Sequence, residues 1–325
     1  MAAEPDNPSK PKNAGKHLPV LMDAVLEHLD PKPGERAIDA TAGLGGHATA
    51  IGERLGPGGR LLINDLDPAH VDAAADRVRS SLGSGYPKVI TVHGNFADVR
   101  WNAGQAGFEA ADVLLADLGF ASPHVDQAER GFAFRKDGPL DMRYDQTGDT
   151  ATAAELVNTL PEQELASLLR EFGEERSARR IAAKVVAVRA ESPITSTSGM
   201  AEVVHSAIGP RSGGIDSATR TFQALRIAVN DELGSLKALL DAVTVAARAI
   251  ASDADSWLTA GARIGIISFH SLEDRLVKQS FNRLVADDLG EVVSRRPIVA
   301  TETEASDNPR ARSAKLRVVR LGHSR

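Results

Sequence analysis

The stretch 36-RAIDATAGLGGHATAI-51 decides how this chain is read. An apolar run ends at Asp39, glycines follow at 43, 45 and 46, and an apolar-periodic segment resumes at His47. Strand, bare turn and helix in that order form a unit that holds a ligand against exposed backbone. Gly43-x-Gly45-x-x-Ala48 fits the relaxed dinucleotide fingerprint. Asp65 ends the next apolar run, about twenty residues on, where a carboxylate accepts bonds from ribose hydroxyls. A Walker A loop for a nucleoside triphosphate does not fit, because His47 and Ala48 stand where it needs Lys and Ser or Thr. NAD and S-adenosylmethionine both remain. Asp39, Asp65 and Asp117 all end strands at one sheet edge, a setting that suits a cationic sulfonium better than two phosphates.

The rest of the chain continues the pattern. "GRLLINDLD" reads as a second strand, "PAHVDAAADRVRSSL" as a helix with Pro68 in its first turn, and "KVITVHG" as a third strand. "ADVLLADLG" is a continuous apolar run, as a strand buried on both faces requires. Ahead of them, "HLPVLMDAVLEHL" has helical spacing and stops at Pro31 and Pro33. This alternation predicts a doubly wound parallel α/β sheet. The rhythm breaks after Gly119. Residues 122–150 show no period, and helical segments follow to about Ser206. One long helix is predicted from about Ala218 to Ile250, then a strand at "ARIGIISF" and a helix at "SLEDRLVKQSFNRL". The division is a tail over 1–16, a sheet domain from 17–121 and 218–325, and a helical insertion over 122–217.

Composition sets bounds. With 325 residues, 42% hydrophobic and 25% charged, the chain has the balance of a globular protein with a sizeable core. It has no cysteine, which excludes disulfides, thiolate metal sites and thiol nucleophiles and fits a reducing compartment. The start, "MAAEPDNPSKPKNAGKH", lacks the apolar core of a signal peptide. No stretch has the roughly 18 consecutive apolar residues of a membrane span, so the expected location is the cytoplasm. Net charge is -6, yet two stretches carry no acid: "RSARRIAAKVVAVR", from Arg176, and "NPRARSAKLRVVRLGHSR", from Asn308. Their spacing points to local contact with a polyanion.

Nine strings in order carry a resemblance: "HLPVLMDAV", "IDATAGLGGHA", "NDLDP", "HGNF", "DLGFASPHVDQAERGFAFRKDGPLDMR", "GEERSARRIA", "TRTFQALRIAVNDEL", "IISFHSLEDRLVK" and "NPRARSAKLR". Together they resemble the RsmH (MraW) family, bacterial methyltransferases that modify the N4 amine of a cytidine in 16S rRNA. The resemblance runs from His17 to about Arg317. It implies a Rossmann-like class I fold with an inserted all-helical domain, S-adenosylmethionine as cofactor, and the small ribosomal subunit as partner; no residue is assigned to a metal, and metal dependence is not legible in the sequence. It carries cofactor contacts onto Gly45, Gly46, His47, Asp65, Phe96, Asp117 and His124. His124 stands where relatives often have Gln, and "DLGFAS" where they read more like "DLGVSS", which places Phe120 and Ala121 beside the expected reaction centre.

Cytosine N4 is a poor nucleophile because its lone pair is delocalised into the ring. Transfer to it needs in-line positioning and an acceptor for the amine hydrogens. No Asp/Asn-Pro-Pro-aromatic turn is present, so Asp117 is the expected catalytic residue. Arg220, Gln223, Arg226 and Asn230 share one helix face opposite Phe222, Leu225, Val229, Leu233 and Leu236, and are expected to face RNA. "SFHSLED" reads as a helix start capped by Ser271 and Asp274 rather than as a nucleophile triad. Nothing in the sequence chooses between a monomer and a homodimer. An assembly factor that binds RNA and S-adenosylmethionine without turnover, a DNA or protein methyltransferase, and an NAD-dependent dehydrogenase are the competing readings.

Overall fold

The computed structural model describes residues 19–83, 87–120, 122–210, 214 and 216–322, with backbone alone at 122 and 123. The expected tail over 1–16 and the departure point at Ala121 lie outside the described residues. Up to Asp117 the chain alternates as the sequence predicts. The elements are α1 (Met22–Leu29), β1 (Arg36–Asp39), α2 (Gly46–Leu55), β2 (Arg60–Asp65), α3 (Pro68–Leu82), β3 (Lys88–His93), α4 (Val99–Gln105) and β4 (Ala111–Asp117). After α5 (Ser122–Asp126) come α6 (Ala153–Thr159), α7 (Glu162–Gly173), α8 (Ala178–Arg189), α9 (Thr197–Ile208) and α10 (Thr219–Asn230). The chain then returns through α11 (Glu232–Ala251), β5 (Leu258–Ser268), α12 (Ser271–Ala286), β6 (Gly290–Val292), β7 (Ile298–Val299), α13 (Glu302–Asp307) and β8 (Lys315–Leu321).

Among the described residues the strands form one sheet in the order β3-β2-β1-β4-β5-β8-β6, with β7 beside β8. From β3 to β5 all pairs are parallel. Asp39 is in register with Ile63 on one side and Leu115 on the other. Chain order reverses between β1 and β4, so their carboxyl ends border the crevice where open α/β sheets bind ligands. The central strands are buried on both faces because helices cover both. Ile38, Leu62, Leu114 and Ile264 pack under α11 and α12, while Leu61, Ile63, Val113 and Leu115 pack under α1, α2 and α3. On α12, Val277, Phe281 and Leu284 lie on the buried face, each stabilising the fold by about 1.5–3 kcal/mol through burial. No helix among the described residues is long and apolar enough to cross a membrane.

A third core holds the helical unit. Leu165, Leu169, Ile181, Val185, Met200, Val204, Phe222 and Leu225 pack together, so α10 belongs with α6 to α9. The predicted long helix is therefore two. Asp231, at φ 46° and ψ 45°, breaks it in the left-handed region. The apolar stripe serves two cores: Phe222, Leu225 and Val229 face the helical unit, and Leu236 faces the sheet. A straight helix cannot serve both cores.

A strand was missing from the sequence reading. The basic end forms β8, which runs antiparallel between β5 and β6, with Ser268 opposite Lys315. Its acid-free appearance is local. Arg317 Nε lies 2.7 Å and Lys315 Nζ 3.2 Å from the carboxylate of Asp274. Arg320 lies 3.6 Å from Glu291. Within β8 the cations are thus paired in space, which narrows the expected polyanion contact to Arg310 and Arg312 ahead of the strand.

The break at Asp231 is testable. Asp231→Val should lower unfolding free energy in urea by about 1–2 kcal/mol, because a β-branched side chain is strained at positive φ. Asp231→Gly should cost less. Equal losses would show that the side chain, not the backbone, matters there.

Candidate functional site

Between the carboxyl rim of the sheet, the helical unit and the segment 307–313 lies a cavity of about 670 Å³. That is room for a nucleoside-sized ligand. Of the residues expected at a site, Gly46, His47, Asp65, Phe96, Asp117 and His124 line this cavity, and Gly45 does not. A Cβ on Gly45, at φ 75°, would stand 2.8 Å from Ala74 Cα on α3. One on Gly46 would run into the Pro19 ring. The missing side chains thus admit neighbouring protein, not the ligand directly. The turn still delivers the ligand-facing part, because α2 starts at Gly46 with no side-chain cap, leaving its first N–H groups without helical partners. These suit a carboxylate.

Asp65 is partly engaged: its Oδ2 accepts the Gly43 N–H at 2.8 Å and its Oδ1 the Asp67 N–H at 2.9 Å. Each oxygen keeps a second lone pair for a ribose hydroxyl. Phe96 is half-buried at the start of a short 3-10 turn after β3, against the core under α11.

Next to the turn lies a line of three ionisable groups. Asp39 is 1% exposed; its Oδ1 accepts the Thr41 N–H at 3.3 Å and its Oδ2 has no partner among the described residues. Burial pushes its pKa up to about 7, against the pull of His47 and the Thr41 amide. His47 is buried with neither ring nitrogen hydrogen-bonded among the described residues, and its Nε2 stands 3.6 Å from Asp117 Oδ2. Burial lowers the imidazole pKa, but Asp117 and Asp39 outweigh it and raise the net value. The Asp117 N–H donates to Thr41 Oγ1 at 2.6 Å, while its Oδ1 is buried without a partner among the described residues. Buried polar atoms left bare beside a cavity mark the place of a polar ligand.

His124 is 3% exposed, with Nε2 3.1 Å from Asp67 Oδ2 and its ring stacked on Phe132 at 5.0 Å. Burial lowers its pKa, and the charges of His70 and Arg130 lower it further against the pull of Asp67, so the ring is neutral at pH 7. Burial works against the Asp67 carboxylate, yet hydrogen bonds from His124 and Arg130 hold its pKa well below the usual range. Asp67, His70 and His124 have the composition of a metal site, as do Glu232, His270 and Glu273. In each cluster a guanidinium already sits on a carboxylate: Arg130 on Asp67 at 2.8 Å, and Arg226 on Glu232 at 2.7 and 2.9 Å.

Sequence reasoning missed the far wall. Arg226 and Asn230, read as an RNA-facing surface, are tied down. Besides the pair with Glu232, Tyr144 OH donates to Glu232 Oε1 at 3.0 Å, and Asn230 Oδ1 accepts the Tyr144 N–H at 2.8 Å. Burial and Glu232 raise the Tyr144 pKa well above its ordinary value. The only signal in the sequence is the string "ERGFAFRKDGPLDMR", which has no periodicity to interpret. Helix α12 is capped by His270, not Ser271: the imidazole accepts the Glu273 N–H, and Glu273 Oε2 accepts the N–H of His270. That bond makes Nδ1 the acceptor and places the ring proton on Nε2, which stands 3.2 Å from Glu273 Oε1.

The Asp39 environment has a pH signature. The folded state holds this proton up to about pH 7, whereas the unfolded chain loses it near 3.8. Stability therefore falls as pH rises between those values. Asp39→Asn should be more stable than the parent by roughly 2–4 kcal/mol at pH 8, a difference that closes toward pH 4. Urea unfolding at the two pH values measures it; a pH-independent difference would contradict the assignment.

A sequence model described as the MraW methylase family matches residues 14–321. The chain is 44% identical over 324 residues to the Ribosomal RNA small subunit methyltransferase H of Pelobacter propionicus, covering 94% of this chain and 98% of that one. Its identity to the protein of the same name from Acidobacterium capsulatum is 45% over 307 residues, covering 93% and 97%. A solved SAM-dependent O-methyltransferase from Thermotoga maritima superposes with a TM-score of 0.40 at 9% identity, covering 96% of this chain and 70% of that one. The chain belongs to the MraW methylase family, and is built on a doubly wound α/β sheet with a helical unit.

Proposed function

We propose that this chain methylates the N4 amine of a cytidine in the 16S rRNA of the small ribosomal subunit. The names of the relatives, ribosomal RNA small subunit methyltransferases, support an RNA substrate. The observation that carries the amine assignment is the bare Oδ1 of Asp117 at the end of β4. S-adenosylmethionine supplies an electrophilic methyl group on a sulfonium. The first N–H groups of α2, at Gly46 and His47, would meet its carboxylate, Asp65 its ribose hydroxyls, and Phe96 and His124 its adenine side. Gly45 keeps the turn closed on α3.

Asp117 then acts on the acceptor. Its Oδ1 holds an amine hydrogen and aims the nitrogen, while His47 neutralises the carboxylate from the other side. The target base must be unstacked first, at a cost of a few kcal/mol. Residues 122–230, the expected insertion extended by α10, serve as the substrate-recognition unit of a methyltransferase domain formed by 17–121 and 231–325. On α8, Arg179, Arg180 and Lys184 are exposed with no acid between them, a surface for RNA phosphates. Arg310 lines the cavity itself.

Incubation with labelled donor and undermethylated small subunits, followed by nucleoside analysis, should give label in N4-methylcytidine. Label in another nucleoside or in protein would overturn the proposal, and donor binding without transfer would leave an RNA-binding assembly factor. Asp117→Asn should keep donor affinity within about twofold while single-turnover rate falls about a hundredfold. An unchanged rate removes Asp117 from the chemistry. Charge reversal at Arg310 and Arg312 should weaken RNA binding and flatten its salt dependence by about one phosphate contact or more; an unaltered slope argues against both contacts.

A further inference from the structure

Phe120 is out of place as a core residue. It follows Asp117 by three positions in the loop leaving β4, lines the cavity, and is 39% exposed, whereas Phe108, Phe222 and Phe281 are buried. The Arg226 guanidinium lies 4.8 Å from its ring centroid and covers one face. That guanidinium cannot swing away, because two of its nitrogens are held by Glu232. The ring edge meets Phe132 at 6.4 Å, tilted by 42°. One face is therefore backed by a fixed cation, while the residue stays 39% exposed at the cavity. An aromatic ring held from behind at a cavity mouth is a surface on which a flat ring stacks, and a cation beneath it strengthens the contact.

We infer that Phe120 is the platform on which the extruded pyrimidine stacks beside Asp117. This rests on the proposed RNA substrate and adds to it a substrate-binding residue. The spacing along the loop after β4 supports the pairing: a base stacked on Phe120 is offered to the strand end that carries Asp117. Arg226 has a different part from the one its helix position suggests. It does not touch RNA phosphate but stiffens the ring, held in place by Glu232.

The test uses the full chain and the nucleotide mapped by label transfer. Phe120→Ala should lower kcat/KM for the RNA by about tenfold or more while the Kd for S-adenosylmethionine stays within about twofold. Phe120→Trp and Phe120→Tyr should retain activity within about threefold, and Phe120→Leu should fall between. An RNA fragment made abasic at the mapped nucleotide supplies the second readout. Parent and Phe120→Ala should bind it equally, since the stacking partner is gone. If Phe120→Ala methylates like the parent, or loses the same factor on abasic RNA, the platform is refuted. A change in oligomeric state instead would assign the ring to a protein contact. Absence of transfer by the parent protein would overturn the RNA reading rather than this one.

Discussion

The carboxylate of Asp67 ties the irregular segment after β4 to the sheet. It caps α3 through the Ala69 N–H and accepts from both His124 and Arg130. Arg130 also donates to the backbone carbonyls of Arg143 and Tyr144 at 3.2 and 2.7 Å. One guanidinium thus fastens residues 124–144 to the end of β2 and to each other, in a stretch with little regular secondary structure of its own. Removing one partner of such a buried pair costs about 3–5 kcal/mol, since the other is left charged and dry. That knot holds one end of the aromatic row His124, Phe132 and Tyr144, stacked at 5.0 and 5.4 Å, while Glu232 and Asn230 hold the other.

The two walls handle charge differently. On the sheet side, Asp39, His47 and Asp117 stay under-satisfied: two acids flank one imidazole, with oxygen atoms and ring nitrogens left bare. On the helical side every carboxylate is answered, Glu232 by Arg226 and Tyr144, and Glu273 by His270 and the Phe269 N–H at 2.8 Å. The cavity is graded in this sense, from a wall of unpartnered polar atoms to one of paired charges.

Legibility in the sequence followed physical range. The sheet was readable because the parallel strands are short apolar runs, and the ligand edge because β1, β2 and β4 each end in an acid and a glycine turn follows the first of them. Strand β8 was hidden by its composition: Lys315, Arg317 and Arg320 alternate with Leu316, Val318 and Leu321, but the cations drew attention away from the period of two. The helix break at Asp231 was invisible because a single left-handed residue leaves the apolar stripe intact in sequence. Arg226 was misread for a related reason, as its carboxylate partner lies beyond that break. Gly45 and Gly46 were recognised as necessary, but the reason lies in close packing against α3 and Pro19.

The closing wall of the cavity comes from the far end of the chain. Asn308, Arg310 and Ser313 line it, and Glu304 accepts the Leu21 N–H at 2.6 Å, so the first described helix is anchored by almost the last. Strand β8 must also insert between β5 and β6 before the sheet is complete. A nascent chain therefore cannot close this wall of the cavity until residues 304–313 have been made.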